Sequence, residues 1–421
     1  MPLVAGAVFL ATLVCVVVRP FDRSEAWWTT GGALLVLGIG AVSPQQAWHA
    51  LTEQANLFLF LLGLMGIAGL ADAAGFFDVA GALAVALARG SGRRLLLAVF
   101  GVGALVTAFL SNDATALILT PVVYTVVTRL RLRPLPYLLA ATFVADTASL
   151  LLPVSNPINV LVGARLGLPL VPYLEHFLPA AIAVILVNAA IFLAVFWRRA
   201  GRRFDVDWRA LLRDAVPDRR YLMLTVGGLL AVVAGYLAAT ATGFPVGLVA
   251  AGGAVLLLLG GLARRRLPFR KAREHVSLAV LVYVAGLFVL VAALEQVGVT
   301  GAVAHGLRHL ARPGPGAVVT GALAAAIGAN GVNNVPAATF LLSTSAALHH
   351  AARAPFLAGT LLGADLGPNL TPVGSLSTML WLVAVRRRGV RVSALDYLKL
   401  GAITTPALLL AGGALVTASY R

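Results

Sequence analysis

Apolar runs of membrane-crossing length follow one another along the whole of this chain, and the longest polar stretch between them is the segment 198–220. A hydrocarbon layer about 30 Å thick takes about 20 apolar residues per helix, so this pattern predicts an all-α integral membrane protein. Composition agrees: 60% of the 421 residues are apolar or aromatic and 11% are charged, against roughly 45–50% and 25% in a soluble domain. A mean hydropathy of +0.93 leaves no polar stretch long enough for a separate catalytic or DNA-binding domain. The net charge of +16 would point to nucleic acid in a soluble chain, but the arginines form short clusters between apolar runs. That is a membrane-topology pattern, and no nucleic-acid partner is expected. The single cysteine, Cys15, excludes a disulfide framework and a cysteine metal cage, and neither a metal nor a cofactor is expected. The first run, 3–18, lacks a basic leader and reads as a retained span.

Ten spans are predicted in two sets of five. The first set covers 3–18, 26–42, 56–71, 136–163 and 177–197; the second covers 221–240, 245–262, 276–296, 355–383 and 398–417. Each half leaves over one apolar stretch broken near its middle by polar residues, 95–128 and 316–350, which suits a re-entrant hairpin. With both termini outside, 27 of the 32 lysines and arginines fall on the cytoplasmic side of a plasma membrane, as the positive-inside rule favours. Segment 198–220 then becomes a cytoplasmic linker between a first repeat, 1–197, and a second, 221–421, with its arginines against anionic lipid or a soluble partner.

The halves resemble each other. A-D-T-A-S-L-L-L-P-V at 145–154 aligns without gaps with A-D-L-G-P-N-L-T-P-V at 364–373, and Asp72 and Gly75 pair with Glu295 and Gly298. Five spans per unit is an odd number, so the second copy must be inserted upside down. Polar breaks fall at matching places: S-N-D at 111–113, P-V-S-N-P-I-N at 153–159, N-G-V-N-N-V-P at 330–336 and G-P-N-L-T-P-V-G-S-L-S-T at 367–378. An unpaired backbone group in lipid costs several kcal/mol and survives only where it lines an enclosed cavity. The breaks are therefore expected to converge mid-membrane, with half-helix N-termini aimed inward. Pro153, Pro157, Pro336, Pro368 and Pro372 read as helix breakers.

On F-L-S-N-D-A-T-A-L-I-L-T-P-V-V (109–123), V-A-D-T-A-S-L-L-L-P-V-S-N-P-I-N-V (144–160), G-V-N-N-V-P (331–336) and L-G-A-D-L-G-P-N-L-T-P-V-G-S-L-S-T-M-L-W (362–381), the chain resembles the arsenite/antimonite efflux permeases of the ion-transporter superfamily. The resemblance runs from about residue 3 to about 417. Where that family often has A-N-D, this chain has Ser111 before Asn112 and Asp113. The resemblance implies an elevator-type transporter: hairpins and broken helices carry substrate past a scaffold that often dimerises. It also implies export of trivalent arsenic and antimony hydroxides in exchange for protons, with a soluble cytoplasmic ATPase as partner in some members. No phosphate-binding G-x-x-x-x-G-K-[ST] string occurs, so any ATP dependence needs a separate subunit.

The residue chemistry suits such a solute. Arsenous acid is small, neutral and hydroxylated, and calls for donors and acceptors without a fixed counter-charge. The candidate ligands are Ser111, Asn112, Asp113, Thr115, Ser155, Asn156, Asn159, Asn333, Asn334, Thr371, Ser375, Ser377 and Thr378. An aspartate at a helix centre costs about 2.5–3.5 kcal/mol on insertion scales, so Asp113, Asp146 and Asp365 are candidates for carrying protons. Each also has a structural alternative in capping or satisfying nearby backbone. Asp72 and Glu295 read as structural, the seven histidines as surface residues, and segments 76–90 and 299–312 as interfacial helices. Two other readings stay open: a sodium/proton antiporter with the three aspartates as cation ligands, and a sodium-coupled dicarboxylate carrier, whose hairpin typically reads S-N-T where Asp113 stands here.

Overall fold

The computed structural model describes residues 1–18, 20–216, 218–263 and 276–420; Arg19 and the expected 264–275 loop, with His275, lie outside the described residues. Among the described residues every regular element is helical, apart from one antiparallel bridge between Ser91 and Arg203. The first half comprises α1 (Pro2–Val18), α2 (Glu25–Gly38), α3 (Pro44–Glu53), α4 (Ala55–Ala73), α5 (Phe76–Ala88), α6 (Gly92–Phe109), α7 (Thr120–Arg129), α8 (Leu135–Ala148), α9 (Pro157–Leu166) and α10 (Leu170–Phe196). A linker helix, α11 (Trp208–Ala215), follows. The second half runs α12 (Arg219–Thr242), α13 (Val246–Ala263), α14 (Leu278–Gln296), α15 (Val299–Leu307), α16 (Pro315–Val332), α17 (Asn334–Ser345), α18 (His350–Leu366), α19 (Leu376–Arg386) and α20 (Ala394–Ala418).

Eight of these helices are long and apolar enough to cross a membrane. Six coincide with expected spans: α4, α10, α12, α13, α14 and α20. The other two, α6 and α16, are the first limbs of the expected hairpins; each has 18 residues, about 27 Å at 1.5 Å per residue. Of the other expected spans, 3–18 is α1, with 17 residues, and three are shorter or divided. Span 26–42 stops early as α2, with 14 residues, because Gly38 and Gly40 precede the turn that leads into α3. Spans 136–163 and 355–383 are split into α8 with α9 and α18 with α19.

Apart from α3, which has no described counterpart, the element orders of the halves correspond. Helices α4 and α14 each end at a glycine in the left-handed region, Gly75 (φ 82°) and Gly298 (φ 81°), from which α5 and α15 start. Packing is reciprocal: α4 lies on α13, while α14 lies on α2. Lipid tails are as apolar as leucine, so close approach of small residues holds such helices together rather than expulsion of water. Gly63 meets the backbone of Ala250 and Ala251, and Gly286 meets Thr29. The tightest pair is α16 on α18, where Gly359 and Gly363 abut the backbone carbonyls of Val318 and Ala322, and Gly321 abuts that of Phe356. The apolar leftovers face outward: Leu186, Leu230, Leu259 and Leu410 are all more than half exposed.

Segments 76–90 and 299–312 do form helices over most of their length, and the exposed residues of α5 are Asp78, Leu83 and Leu87. Several arginine clusters meet at one end of the bundle. Arg202 donates to the Arg131 carbonyl at 2.8 Å, Gly92 N–H to the Arg202 carbonyl at 3.1 Å, and Tyr124 OH to the Arg388 carbonyl at 3.3 Å.

Candidate functional site

Each of the four polar breaks begins a half-helix whose first turn is capped by its own side chain. Ser111 Oγ accepts from Ala114 N–H (3.0 Å), Asn156 Oδ1 from Ile158 N–H (3.2 Å), Asn333 Oδ1 from Val335 N–H (3.4 Å) and Ser375 Oγ from Thr378 N–H (3.0 Å). Local chemistry explains the breaks. Pro153 and Pro372 hold the preceding residues, Leu152 and Thr371, in extended conformation (ψ 150° and 152°). After Ser111 the chain doubles back, and Thr107 and Thr115 bond hydroxyl to hydroxyl across the tip at 2.8 Å. One π-helical turn, Thr115–Leu119, separates this tip from α7.

Asn333 has φ 79° and ψ 151°, a combination close to glycine-only for an L-residue and costing about 1–3 kcal/mol. The surroundings enforce it. Asn333 donates to the Val373 carbonyl at 3.3 Å, and the next N–H, of Asn334, donates to the Gly374 carbonyl at 2.9 Å, pinning this tip to the break between α18 and α19. We expect Asn333→Gly to raise the thermal midpoint of the purified protein by a few degrees, since the strain is relieved and a glycine cap costs only a few tenths of a kcal/mol. Asn333→Ala keeps the strain, loses the cap and should lower it; equal midpoints for the two variants would refute the account.

The carboxylates are clasped across the halves. Asp146 on α8 accepts from Ser375 Oγ (3.0 and 3.2 Å) and Thr378 Oγ1 (2.9 Å) at the start of α19. Asp365 on α18 accepts from Asn156 Nδ2 (2.7 Å) at the start of α9. Asn156 and Ser375 stand 219 residues apart, as do Asp146 and Asp365, so the clasp is the same contact made twice. Ser375 Oγ accepts from backbone and donates to Asp146 at once, as the Asn156 amide does with its oxygen and nitrogen. A third cross-half bond runs from Ser377 Oγ to Asp113 Oδ1 at 2.8 Å.

Both tips and both breaks open onto one narrow cavity of about 20 Å³, close to the room one water molecule needs. Asn112, Asp113, Asn156, Asn334 and Ser377 supply its polar lining; Leu57 and Leu61 of α4 and Val280 and Val284 of α14 face them. The lining contains no lysine or arginine. Asn334 Oδ1 is buried and accepts no hydrogen bond among the described residues. An adjoining cavity of about 70 Å³ takes in Ser111 and Asp113 and reaches Ser277, the residue before α14.

The remaining candidates lie around this space and not on it. Thr115 donates to the Ser111 carbonyl (3.1 Å), Ser155 to the Ala108 carbonyl (3.1 Å), Asn159 to the Ser149 carbonyl (2.7 Å) and Thr371 to Asn330 Oδ1 (2.7 Å). Asn333, Ser375 and Thr378 are occupied by the capping and clasping bonds above. Several participants were not anticipated. Asn188 in α10 donates to Thr147 Oγ1 at 2.7 Å, and Asn369 reaches the same hydroxyl at 3.2 Å. Asn330 donates to the Gly367 carbonyl at 2.7 Å. The available signal was an amide within an apolar span, where burial without partners is costly.

Comparison with known proteins fits this geometry. A family model described as "Arsenical pump membrane protein" matches residues 4–417. The chain belongs to the arsenical pump membrane protein family. An arsenical pump membrane protein of Escherichia coli strain K12 is 29% identical over 413 residues, covering 96% of this chain and 95% of that one. A putative arsenical pump membrane protein of Bacillus subtilis is 26% identical over 435 residues, covering 96% of each. An uncharacterized transporter of Mycobacterium tuberculosis is 28% identical over 419 residues, covering 96% of this chain and 95% of its own. In fold, the chain is similar to the YdaH transporter of Alcanivorax borkumensis, with a TM-score of 0.55 at 16% identity over 88% of this chain and 86% of that one. Membership in the arsenical pump membrane protein family, with eight apolar helices of crossing length, places this chain in the inner membrane as a multi-pass protein.

Proposed function

We propose that this chain is a secondary active exporter of arsenite and antimonite, exchanging the neutral trivalent hydroxides for protons. One observation supports the reading above the others: a single cavity lined by carboxylate, amide and hydroxyl groups without a cation, walled on its far side by leucine and valine. A trihydroxy solute can donate to Asp113 and to the open Asn334 Oδ1 while accepting from the Asn112 and Asn156 amides. Anionic dicarboxylates would meet the Asp113 carboxylate with no counter-charge. Asp113, Asp146 and Asp365 are the groups we assign to proton movement.

In this reading the protein has ten transmembrane helices in two inverted five-helix repeats, 1–197 and 221–421, joined by the cytoplasmic linker 198–220. Re-entrant hairpins 95–128 and 316–350 and broken helices 136–163 and 355–383 form the moving unit of an elevator. Helices α2, α4, α13 and α14 are the scaffold, on which a second copy of the chain docks. A soluble cytoplasmic ATPase is a further candidate partner. The reading is one of transport and not of catalysis. One charge crossing about 100 mV is worth about 2.3 kcal/mol, and at about 1.4 kcal/mol per decade that sustains a gradient of about 50-fold.

The test is arsenite accumulation in everted membrane vesicles energised by respiration. Vesicles containing the protein should concentrate arsenite, lose the gradient within the lifetime of an added protonophore, and show little accumulation with Asn112→Ala. Accumulation indifferent to the protonophore removes proton coupling; sodium-stimulated proton release without arsenite movement replaces the whole reading with cation antiport.

A further inference from the structure

A second cavity lies far from the first, at the arginine-rich end of the bundle. It is a half-open cavity of about 700 Å³ between the turn that begins α6 and the extended start of the linker, and its lining includes Arg89, Arg93, Arg94 and Arg203. Backbone pairing builds it: Phe204 N–H donates to the Gly90 carbonyl at 3.0 Å and Gly92 N–H to the Arg202 carbonyl at 3.1 Å, strapping the linker to the base of the first hairpin. A side chain at position 92 would collide with the Tyr137 hydroxyl and the Ala200 and Arg202 carbonyls, so glycine is needed for this seam to close. One carboxylate, Asp205, faces the four guanidinium groups. Among the described residues none of the four is ion-paired.

The position of this cavity identifies its occupant. Helices α6 and α10 have the length and apolarity to cross the bilayer, and the cavity sits where α6 starts and just beyond where α10 ends. Trp197, directly after α10, stacks its ring 3.7 Å under the Arg93 guanidinium. Trp208 lines the cavity, and both tryptophans are partly exposed, as aromatic side chains at headgroup level are. Leu83 and Leu87 of α5 and Leu97 of α6 stand exposed on the helices that flank it. Cationic groups above an apolar, lipid-facing flank match a molecule with a phosphate head and acyl tails better than a soluble anion or an acidic protein surface. We propose that this cavity binds the phosphodiester headgroup of an anionic phospholipid, which thereby bridges the linker and the base of the first hairpin.

This inference is independent of what the protein transports. The test is phosphatidylglycerol titration of the detergent-purified full-length protein, read by native mass spectrometry and by the thermal midpoint, with phosphatidylcholine and glycerol 1-phosphate as comparisons. Wild type should retain phosphatidylglycerol at a saturable site and be stabilised by it, with weaker retention of phosphatidylcholine and no effect of glycerol 1-phosphate. Each arginine near an anionic head contributes about 1 kcal/mol. Arg89→Gln/Arg203→Gln should therefore weaken phosphatidylglycerol binding about 30-fold, and Arg203→Gln alone about 5-fold. Arg89→Lys/Arg203→Lys should stay close to wild type, as should Arg219→Gln/Arg220→Gln, which removes charge outside the cavity. Unchanged binding in the glutamine variants overturns the proposal, and so does stabilisation by glycerol 1-phosphate equal to that by the lipid, which would make this a soluble-phosphate site. If the double glutamine variant does not fold, the single Arg203→Gln variant decides.

Discussion

Asp113→Asn is expected to reduce uphill arsenite accumulation in everted vesicles from the ratio that one proton sustains, about 50-fold at 100 mV, to no accumulation at all. Asp113 is the one carboxylate on the lining shared by the hairpin tips and helix breaks. Asparagine keeps its shape and can still accept the 2.8 Å bond from Ser377, so the tip should hold its conformation. What disappears is a group that exchanges a proton. Downhill arsenite movement, measured without a proton gradient, should survive within a factor of ten. If Asp113→Asn still concentrates arsenite, coupling belongs to the clasped pair Asp146 and Asp365, and the same measurement on Asp146→Asn and Asp365→Asn would locate it. If downhill movement vanishes as well, Asp113 holds substrate before it holds a proton.

Gly359→Ala is expected to prevent accumulation of folded protein, a large effect for one added methyl group. Helices α16 and α18 approach so closely that a Cβ at 359 would overlap the Val318 carbonyl, and Gly363 stands in the same relation to Ala322 one turn on. Neither obstacle is the end of a flexible side chain, so one helix must move bodily. That movement would break the bond from Asn330 to the Gly367 carbonyl and the pinning of Asn334 to Gly374. Such loss belongs with overpacking, which costs about 1–3 kcal/mol and occasionally more. Marginal stability leaves little reserve against it. Gly252→Ala on α13, where nothing lies within 4 Å of the added carbon, should be neutral or slightly stabilising. Fluorescence-detected size-exclusion of the two variants in detergent checks the pair, and equal monodisperse yields would show that the approach of α16 and α18 relaxes freely.

Much of the fold was legible because its determinants are local. Apolar runs mark helices, a proline extends the residue before it, and a serine or asparagine at a break caps the turn that follows; all these interactions act within about four residues. Ser111, Asn156, Asn333 and Ser375 could therefore be found as breakers without knowing their neighbours. The similarity of 145–154 to 364–373 likewise marked Asp146 and Asp365 as counterparts.

Which polar side chains face the cavity was decided by the tertiary structure alone. Asn156 caps one short helix and Asn159 lies in its first turn, yet one reaches Asp365 across 209 residues while the other turns back to the Ser149 carbonyl. That choice depends on how α9 is rotated against α18, and no local preference encodes a rotation. The apolar wall of Leu57, Leu61, Val280 and Val284 carries no distinguishing chemistry in the sequence, since a leucine facing a cavity and a leucine facing lipid are the same residue. Composition determined that the chain lies in a membrane, and the order of its residues determined where the helices must break; only packing decided which of the breaks' hydrogen-bonding groups are consumed by the protein and which face the cavity.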